Sequence, residues 1–386
     1  MNLNKLKPLS GDASFRKFYR YKNVIIVFSK KDTKKNLLIY DAINKILIKN
    51  KINAPKLISQ NYKSKYIQIE DFGNITIYRK LKKNKKNKLI YFKKIIKLLN
   101  LVQKIKTKKI KTFLGSNYKV PKYSKKILFE EAKLFLDWYA PKKIAKKNQT
   151  LLKKKLILVF RKLINKIKFS NKTFVHRDFH VSNLMIKNKK LCVIDCQDAV
   201  FGNIAYDLAS LIDDVRLKTN MNFKNNIFEE YIKSNEKINV AEFKNDFEIL
   251  SVLRNLKIIG IFTRLSIRDK KKKYLKLIPY TWNLIELRLK NNIIFKDLKN
   301  CLDSNFPKKY TSESIYFCRI MLIQIVSNGF EVFRRVRMHL DAHRSIWKRS
   351  VVFRNFGIVI SFVYLEVPEP CCQRKGYENH NKTCYE

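Results

Sequence analysis

The sequence predicts an α+β fold of two lobes, with a small β-rich N-lobe followed by a mostly helical C-lobe. Three observations support this prediction. Short strand-like runs dominate residues 1–75, segments of helical periodicity fill most of residues 89–290, and one short apolar strand follows a loop rich in His, Asp and Asn. With 386 residues the chain is long enough to bury a core in each lobe.

The N-lobe, residues 1–75, is predicted from its alternating and apolar runs. A turn-rich start, LSGDAS, leads into the strand-like runs FRKFYRY and VIIVF and then into a helical pattern over 34–49. The run YIQIE at 66–70 alternates polar and apolar residues and is predicted to be a strand. Gly73 and Asn74 then end the pattern, so the lobe is expected to close there.

The C-lobe, residues 76–310, is predicted from helical periodicity. In the segment 89–106, for example, Phe92, Ile96 and Leu99 fall on one face. The lysine-rich stretch 80–88 reads as an exposed linker or helix start. One strand, LCVID at 191–195, is predicted among helices at 89–106, 123–139, 150–168, 205–216, 222–235, 242–266 and 274–290.

The composition changes near Tyr310. Residues 311–386 hold 3 Lys and 8 Arg, whereas residues 1–310 hold 63 Lys and 10 Arg. The tail also carries four of the seven Cys, and the group Cys371, Cys372, Cys384 and His380 lacks the paired spacing of a metal site. We interpret 311–386 as an atypical tail, disordered or spurious, that adds nothing to the chemistry.

The formal net charge of +53 raises the question of nucleic-acid binding. Phosphate recognition favours Arg as well as Lys, but the Arg are few and scattered among many Lys, as a strong compositional bias would produce. We therefore expect a solvated basic surface, with no nucleic-acid partner and no membrane partner. Few cysteines precede the tail and the start has no secretory apolar region, so the cytoplasm is the expected location.

The run FVHRDFHVSNLMI at 174–186 carries the chemistry. Phosphoryl transfer to a hydroxyl needs a carboxylate that accepts the hydroxyl proton and oxygen ligands that hold Mg²⁺ against nucleotide phosphates. His176, Asp178 and Asn183 have the H-x-D-x-x-x-x-N spacing of kinase catalytic loops, and Asp195 ends an apolar strand shortly afterwards. The loop motif or the aspartate at the strand end would each be a weak signal alone. Together, in this order and behind a β-rich lobe, they are a specific signal of a kinase.

These stretches, with VIDCQDAVFGNIAYDLASLIDD after them, resemble the aminoglycoside phosphotransferase family of protein-kinase-like enzymes. Three further stretches, GDASFRKFYR, FEEAKLFLDWY and RNLKIIGIFTRLSIRD, are similar to the branch that phosphorylates the anomeric hydroxyl of N-acetylmuramate and N-acetylglucosamine in cell-wall recycling. The resemblance runs from about residue 8 to residue 305. It implies a protein-kinase-like fold, ATP and Mg²⁺ as cofactors, and a small sugar as the acceptor.

The resemblance also implies roles for single residues. Asp178 would be the catalytic base, and Asn183 with Asp195 would hold Mg²⁺. The turn that contains Ser14 and Arg16 would cover the ATP phosphates. Glu70 and Phe72 would belong to the hinge that meets the adenine. Asp207, in AYDLA, would brace the catalytic loop without reacting.

The sequence departs from the family pattern at several places. Cys196 stands where the family often has Phe, which is a tolerable exchange in a buried position. VIIVF has no Lys of the kind that kinases use to hold phosphates, and Lys30, Arg16 or Arg20 is expected to replace it. The sugar-kinase branch resembles this chain in lacking that Lys.

The acceptor side is predicted less sharply. His180 and Arg177 are candidates for substrate contact, with packing and charge pairing as the alternatives. Glu131 and Trp138 share a helical stretch suited to a sugar ring, although a core role is the favoured interpretation for Trp138. Arg254 lies on an otherwise apolar helix, facing either a pocket or a buried ion pair.

Two smaller expectations concern structural residues. His176 is expected to brace the loop, and Asp198 to cap a helix in preference to binding the metal.

The sequence therefore predicts an ATP-dependent kinase that forms a sugar 1-phosphate. Two alternatives stay open: a phosphotransferase acting on another hydroxyl acceptor, such as an aminoglycoside or a choline-like molecule, and a non-catalytic basic protein that binds nucleic acid. The strong excess of Lys and Arg disfavours a polycationic acceptor and suits an anionic one.

Overall fold

The computed structural model describes residues 6–9, 16–29, 36–84, 87–290, 292–306, 347–353 and 358–364. The chain divides into two compact units, Met1–Phe317 and Cys318–Glu386. In the second unit, the strands Trp347–Phe353 and Ile358–Tyr364 pair in antiparallel fashion. Ser14, Lys30 and the cysteines and histidine singled out in the tail lie outside the described residues, and the interpretation of the tail stays a prediction.

The first unit begins with a five-stranded antiparallel sheet. Its spatial order is β1-β2-β3-β5-β4, where the strands are β1 (Lys7–Leu9), β2 (Lys17–Tyr21), β3 (Val24–Phe28), β4 (Leu57–Asn61) and β5 (Tyr66–Glu70). The β-branched run VIIVF forms the central strand, with Ile26 and Val27 fully buried. The strands predicted within 15–21, 24–28 and 66–70 are confirmed, whereas the short edge strands β1 and β4 were not foreseen.

Helix α1 (Asn36–Lys49) joins the sheet to the rest of the unit. Leu37 and Tyr40, near its start, pack with sheet residues, whereas Ile43 and Leu47 belong to the large core of the helical part. Because one rigid helix contributes to both cores, it sets the position of the sheet above the loop that carries the motif.

The remainder of the unit is mostly helical, as predicted. Its helices are α2 (Ile77–Lys83), α3 (Lys88–Gln103), α4 (Lys125–Leu134), α5 (Lys146–Asn165), α6 (Tyr206–Ile212), α7 (Met221–Lys233), α8 (Val240–Ile267), α9 (Ile278–Leu289) and α10 (Lys296–Asn305). Several begin at side-chain caps, such as Thr76, Ser124, Asn220 and Asn239, which accept from the backbone N–H three residues on. None of the helices in the described part of the chain is long and apolar enough to cross a bilayer.

The differences from the predicted helices have local causes. The lysine-rich stretch 80–88 is not a linker throughout, because α2 occupies its first part with Ile77 and Leu81 buried. The segment predicted as one helix over 123–139 is α4 followed by a π-helical segment, Phe135–Tyr139. Helix α10, which buries Leu298 and Leu302, was not predicted.

Helix α8 runs through the middle of the helical part and is buried on most sides between Phe243 and Leu265. At Gly260 it passes so close to the end of α4 that an added Cβ would lie 2.4 Å from the backbone carbonyl of Leu134. The π-helical segment starts at the next residue, Phe135, where the widened turn accommodates the crossing. Only glycine permits this close approach of the two backbones.

Two short antiparallel strand pairs hold that loop. Strand β8 (Thr173–Val175) pairs with β11 (Val200–Gly202), and β9 (Leu184–Lys187) pairs with β10 (Lys190–Val193). Another small pair joins β6 (Lys109–Lys111) to β7 (Asn117–Lys119). The motif residues thus sit between β8 and β9 and directly after β10.

Candidate active site

The loop 176–183 is fixed by backbone hydrogen bonds to buried carboxylate and carbonyl groups. The fully buried Asp207 accepts from the backbone N–H groups of His176 at 2.7 Å and Arg177 at 3.0 Å, which confirms its expected bracing role. These bonds hold Arg177 at a φ of 74°, a conformation that is costly for a residue with a side chain. His176 is fully buried with Nε2 3.2 Å from the carbonyl of Ile194, so it braces the loop as predicted.

A cavity of about 740 Å³ opens beside this loop. Its walls come from the sheet, from the segment after β5, from the loop 176–183, from the residues after β10 and from one face of α8. Ten of the residues singled out from the sequence line it: Arg16, Arg20, Glu70, Phe72, Asp178, His180, Asn183, Asp195, Asp198 and Arg254.

Three oxygen-bearing side chains meet in this cavity from Asp178, Asn183 and Asp195. The side-chain Nδ2 of Asn183 donates to the backbone carbonyl of Asp178 at 3.1 Å. The backbone carbonyl of Asn183 accepts from the backbone N–H of Ile194 at 3.0 Å. The second bond ties the loop to the residue before Asp195. Asp195 itself has a φ of 63°, which turns its chain sharply at the end of the strand.

These groups fit a magnesium ion. Mg²⁺ is usually held by one or two protein oxygens, with phosphate and water as its other ligands. The side-chain nitrogen of Asn183 makes the bond described above, which leaves its side-chain oxygen Oδ1 to face an ion. The Asp195 side chain is 38% exposed, and Arg16 pairs with only its Oδ1. Asn183 and Asp195 are therefore the residues that could hold the ion.

Asp178 is kept ionised by its surroundings. Burial favours its neutral form, but the positive charge of Lys257, followed by that of Arg254, holds the pKa of the carboxyl well below its usual range. His180 is buried, and burial together with the neighbouring Arg216 lowers its pKa to about 3. At neutral pH, Asp178 is thus an anion and His180 a neutral ring.

Arg16 lies against the end of the strand that carries Asp195. Its Nη2 is 3.0 Å from Asp195 Oδ1, and its Nη1 donates to Gln197 Oε1 at 2.8 Å. Arg20, the other described candidate for a phosphate-binding cation, is bound to Asp71 through two of its nitrogens and to the Gly73 carbonyl at 2.9 Å. Of these two arginines, only Arg16 is therefore bound to one of the three oxygen-bearing residues, Asp195.

The segment after β5 is held by charged groups. Lys187 donates to Glu70 Oε1 at 2.7 Å and to the Asp71 carbonyl at 3.1 Å, and its ammonium lies 5.4 Å from the centre of the Phe72 ring. Phe72 also packs with Met185 and Cys192 from β9 and β10. This segment is therefore a fixed edge of the cavity.

Cys196 links the Asp195 turn to α1. It is fully buried, and its thiol donates to Asn44 Oδ1 at 2.9 Å, while the Asn44 amide donates to the Pro55 carbonyl at 3.0 Å. The exchange of the family's Phe is thus accommodated by a polar contact. Asp198 caps no helix, which corrects the expectation, because it lies in the turn before β11, where its carboxylate accepts from Gln197 at 2.8 Å.

Three predicted acceptor-side residues do not line the cavity. Arg177 and Glu131 form an ion pair with each other, and Glu131 also accepts from the Tyr123 hydroxyl. Trp138 is half-buried on the π-helical segment, whereas the tryptophan in the aromatic core is Trp282, which donates to the Tyr139 hydroxyl at 3.1 Å. Their proposed contacts with a substrate stay predictions.

Sequence reasoning missed a set of cations on the cavity wall. Lys257 and Arg264 share one face of α8 with Arg254, and Arg216 faces them from the segment after α6. Arg254 is 4% exposed and has an Nη1 with no hydrogen-bond partner in the described chain. The spacing of 254, 257 and 264 on an otherwise apolar helix was the available signal, since these positions recur on one helical face.

Comparison with known proteins agrees with this geometry. Residues 5–241 match the family model of the phosphotransferase enzyme family, APH. The chain belongs to this family. It is 26% identical over 292 residues to an N-acetylmuramate/N-acetylglucosamine kinase of Neisseria meningitidis, covering 72% of this chain and 83% of the relative.

A second relative and two solved structures extend the comparison. A Pseudomonas aeruginosa N-acetylmuramate/N-acetylglucosamine kinase is 25% identical over 293 residues, with 73% of this chain and 83% of the relative covered. A choline/ethanolamine kinase family protein from Mesorhizobium loti superposes with a TM-score of 0.53 at 11% identity, covering 77% of this chain and 92% of the other.

A GDP complex of an aminoglycoside 2'-phosphotransferase-IIIa superposes with a TM-score of 0.52 at 12% identity, covering 75% of this chain and 95% of the other. The predicted protein-kinase-like fold, with its β-rich N-lobe and helical C-lobe, is confirmed.

Proposed function

We propose that this phosphotransferase is an ATP- and Mg²⁺-dependent kinase that phosphorylates the anomeric hydroxyl of N-acetylmuramate, N-acetylglucosamine or both. The observation that carries the proposal is the similarity over about 72% of the chain to relatives that bear this activity in their names. Their names do not state which hydroxyl reacts; the anomeric position comes from the resemblance of the sequence to the sugar-kinase branch. The product would be a sugar 1-phosphate, as cell-wall recycling in the cytoplasm requires.

In this proposal Asp178 accepts the proton of the acceptor hydroxyl. Its lowered pKa keeps it ionised, and its carboxylate borders the same cavity as the other two oxygen groups. Asn183 and Asp195 would hold Mg²⁺, which, when bound, offsets the charge that develops on the phosphates. The chain itself orients the acceptor and removes its proton.

The nucleotide would enter between the sheet and the loop 176–183. Arg16, 3.0 Å from Asp195, is the cation best placed to bind the phosphates when a nucleotide arrives. Glu70 and Phe72 would border the adenine, and Ser14, outside the described residues, would cover the phosphates. Each of these roles is a proposal that ligand binding can test.

The acceptor would lie against α8. Ile258, Ile261 and Leu265 form an apolar strip there, with Arg254 and Arg264 on the same wall. An amino sugar combines an acetyl methyl group with polar substituents, which suits such a wall, and a carboxylate on the sugar would meet guanidinium groups. A polycationic acceptor such as an aminoglycoside would be repelled by these cations.

The test is an acceptor panel with the full chain. The protein is incubated with Mg-ATP and N-acetylmuramate, N-acetylglucosamine, choline or an aminoglycoside, and ADP release is followed. We expect turnover with one or both amino sugars and none with the two cationic acceptors. Turnover confined to choline or an aminoglycoside would refute the proposed acceptor while leaving the family intact.

A further inference from the structure

Lys257 reaches the cavity from the buried face of α8. Its ammonium lies 2.8 Å from Glu131 Oε2, its side chain is 14% exposed, and it borders the same cavity as Asp178. An ammonium group has three N–H donors. One is directed to Glu131, and the side chain itself lies on the cavity wall.

Glu131 anchors this ammonium rigidly. The carboxylate is also paired with Arg177 and accepts from the Tyr123 hydroxyl, and the Arg177 guanidinium lies 5.1 Å from the centre of the Tyr123 ring. The anchoring group therefore belongs to a network that joins α4, the loop 176–183 and α8. A lysine tethered in this way loses little further freedom when it contacts a ligand.

The loop itself supplies little positive charge to the reacting centre. Arg177 is turned to Glu131 and to the Asp198 carbonyl at 3.3 Å, and it does not line the cavity. Burial lowers the pKa of both His176 and His180, so neither ring is charged at neutral pH. The positive charge beside Asp178 thus comes from α8, through Lys257 and Arg254.

Lys257 is charged where it lies. Burial opposes its ammonium form, but the negative groups around it, among them Glu131 and Asp178, outweigh burial and raise its pKa. Of the cations that lower the pKa of Asp178, Lys257 has the strongest effect. A fixed cation next to the carboxylate that meets the acceptor hydroxyl is placed where a transferred phosphoryl group would pass.

Building on the proposed function, we propose that Lys257 is a further catalytic residue whose ammonium contacts the γ-phosphoryl group as it moves from ATP to the acceptor. The acceptor oxygen forms the new P–O bond, and the bond from γ-phosphorus to the bridging oxygen breaks with its electron pair going to ADP. The hydroxyl proton goes to Asp178. Lys257 gives up no proton and stabilises the charge on the equatorial oxygens.

The test compares Lys257→Met with Lys257→Arg in the full chain. Methionine keeps the length and apolar stem of lysine but removes the charge, and Arg177 still pairs with Glu131. We expect kcat to fall about 10²- to 10³-fold in Lys257→Met with KM values for both substrates changed less than about threefold, because the contact is made mainly in the transition state. Lys257→Arg should recover part of the rate.

Lys224→Met is the matched control. Lys224 is another buried lysine in an ion pair, 2.9 Å from Asp213 Oδ1, but it does not line the cavity. Its loss should lower the melting temperature without lowering kcat. Lys257→Met should lower kcat without a matching fall in melting temperature. A fall in kcat that merely follows the loss of stability in both variants would contradict the proposal.

Two other results would overturn it. A rise in KM for the acceptor with kcat unchanged would make Lys257 a substrate-binding residue only, and an unchanged kcat would exclude any catalytic contact.

If the wild-type protein phosphorylates none of the acceptors, the proposed function fails, and Lys257 is tested by binding of Mg-ADP with aluminium fluoride, a mimic of the transferred phosphoryl group. The wild type should bind this mixture at least about tenfold more tightly than Mg-ADP, and Lys257→Met should lose the difference; equal behaviour of the two proteins overturns the proposal.

Discussion

The guanidinium of Arg16 spans the end of the Asp195 strand, with Nη2 3.0 Å from Asp195 Oδ1 and Nη1 2.8 Å from Gln197 Oε1. Arg16 is 7% exposed and also lies over the Tyr40 ring of α1, 5.1 Å from its centre. One side chain thus connects the sheet, α1 and the candidate magnesium ligand. VIIVF offers no lysine, and between Arg16 and Arg20, the two described candidates, it is Arg16 that lies beside Asp195.

Arg16→Ala should weaken nucleotide binding. Loss of a charge-assisted contact of about 1.5–3 kcal/mol predicts a rise in KM for ATP of roughly tenfold to a hundredfold, with a smaller rise in Arg16→Lys. Steady-state kinetics at varied ATP measures this. Arg161→Ala, on the exposed side of α5, should behave as the wild type, and an unchanged KM in Arg16→Ala would contradict the phosphate-binding role.

The pH profile should identify the base. Because the pKa of Asp178 is held below its usual range, the carboxylate is already ionised at pH 5, and kcat/KM should have no acid limb from Asp178 between about pH 5 and 8. In Lys257→Met the largest opposing charge is gone, so burial raises the pKa of Asp178 and an acid limb should move into the measurable range. An acid limb near pH 6.5 that is present in the wild type and lost in Asp207→Asn would come from Asp207, whose pKa burial raises to about 7, whereas one that persists in Asp207→Asn would contradict the lowered pKa of Asp178.

Asp207→Asn should disrupt the loop 176–183. Both carboxylate oxygens accept backbone N–H groups, and an asparagine can accept only one of the two bonds while its amide nitrogen faces the other N–H. We expect the free energy of unfolding to fall by about 2 kcal/mol and kcat to fall in the folded fraction. Urea denaturation and active-site titration by nucleotide binding separate these effects, and full stability in Asp207→Asn would refute the bracing role.

Gly260→Ala should be strongly destabilising. The added Cβ would lie 2.4 Å from the Leu134 carbonyl, so α8 and the end of α4 would have to separate, at a cost of about 3 kcal/mol or more. Thermal unfolding measures the loss. Ile267→Ala on the same helix, where the side chain is 37% exposed, should cost little by comparison. Equal melting temperatures for Gly260→Ala and the wild type would show that the helices do not cross this closely.

The sequence predicted the part of the site whose spacing is local. Asp178 and Asn183 lie in one loop, and Asp195 follows the β9–β10 hairpin directly after it, so their order along the chain already limited their positions. The β-branched run at 24–28 was equally clear. Lys257 was missed because its partners, Glu131 and Asp178, lie far away in sequence and are brought to it only by the packing of α8. Arg177 and Glu131 were each considered as substrate contacts, whereas their ion pair depends on the approach of α4 to the loop.

The break between α4 and the π-helical segment has a similar origin. The periodicity of 123–139 is helical throughout, and nothing local separates Leu134 from Phe135. The change is explained by Gly260 on a distant helix, which brings the two backbones together. Edge strands such as β1 and β4 were missed because their residues are largely exposed or polar and carry little hydrophobic pattern.

The most direct measurement of the central claim is the position of the phosphate on the product, with and without the Asp178 carboxylate. Full-length protein is incubated with Mg-ATP and N-acetylmuramate labelled with ¹³C at C1, and phosphorus–carbon coupling is recorded by NMR. We predict coupling to C1 in the wild type and in Asp297→Asn, a control at an exposed carboxylate that does not line the cavity, and no phosphorylated sugar in Asp178→Asn. Phosphate on another carbon, or undiminished product from Asp178→Asn, would contradict the account.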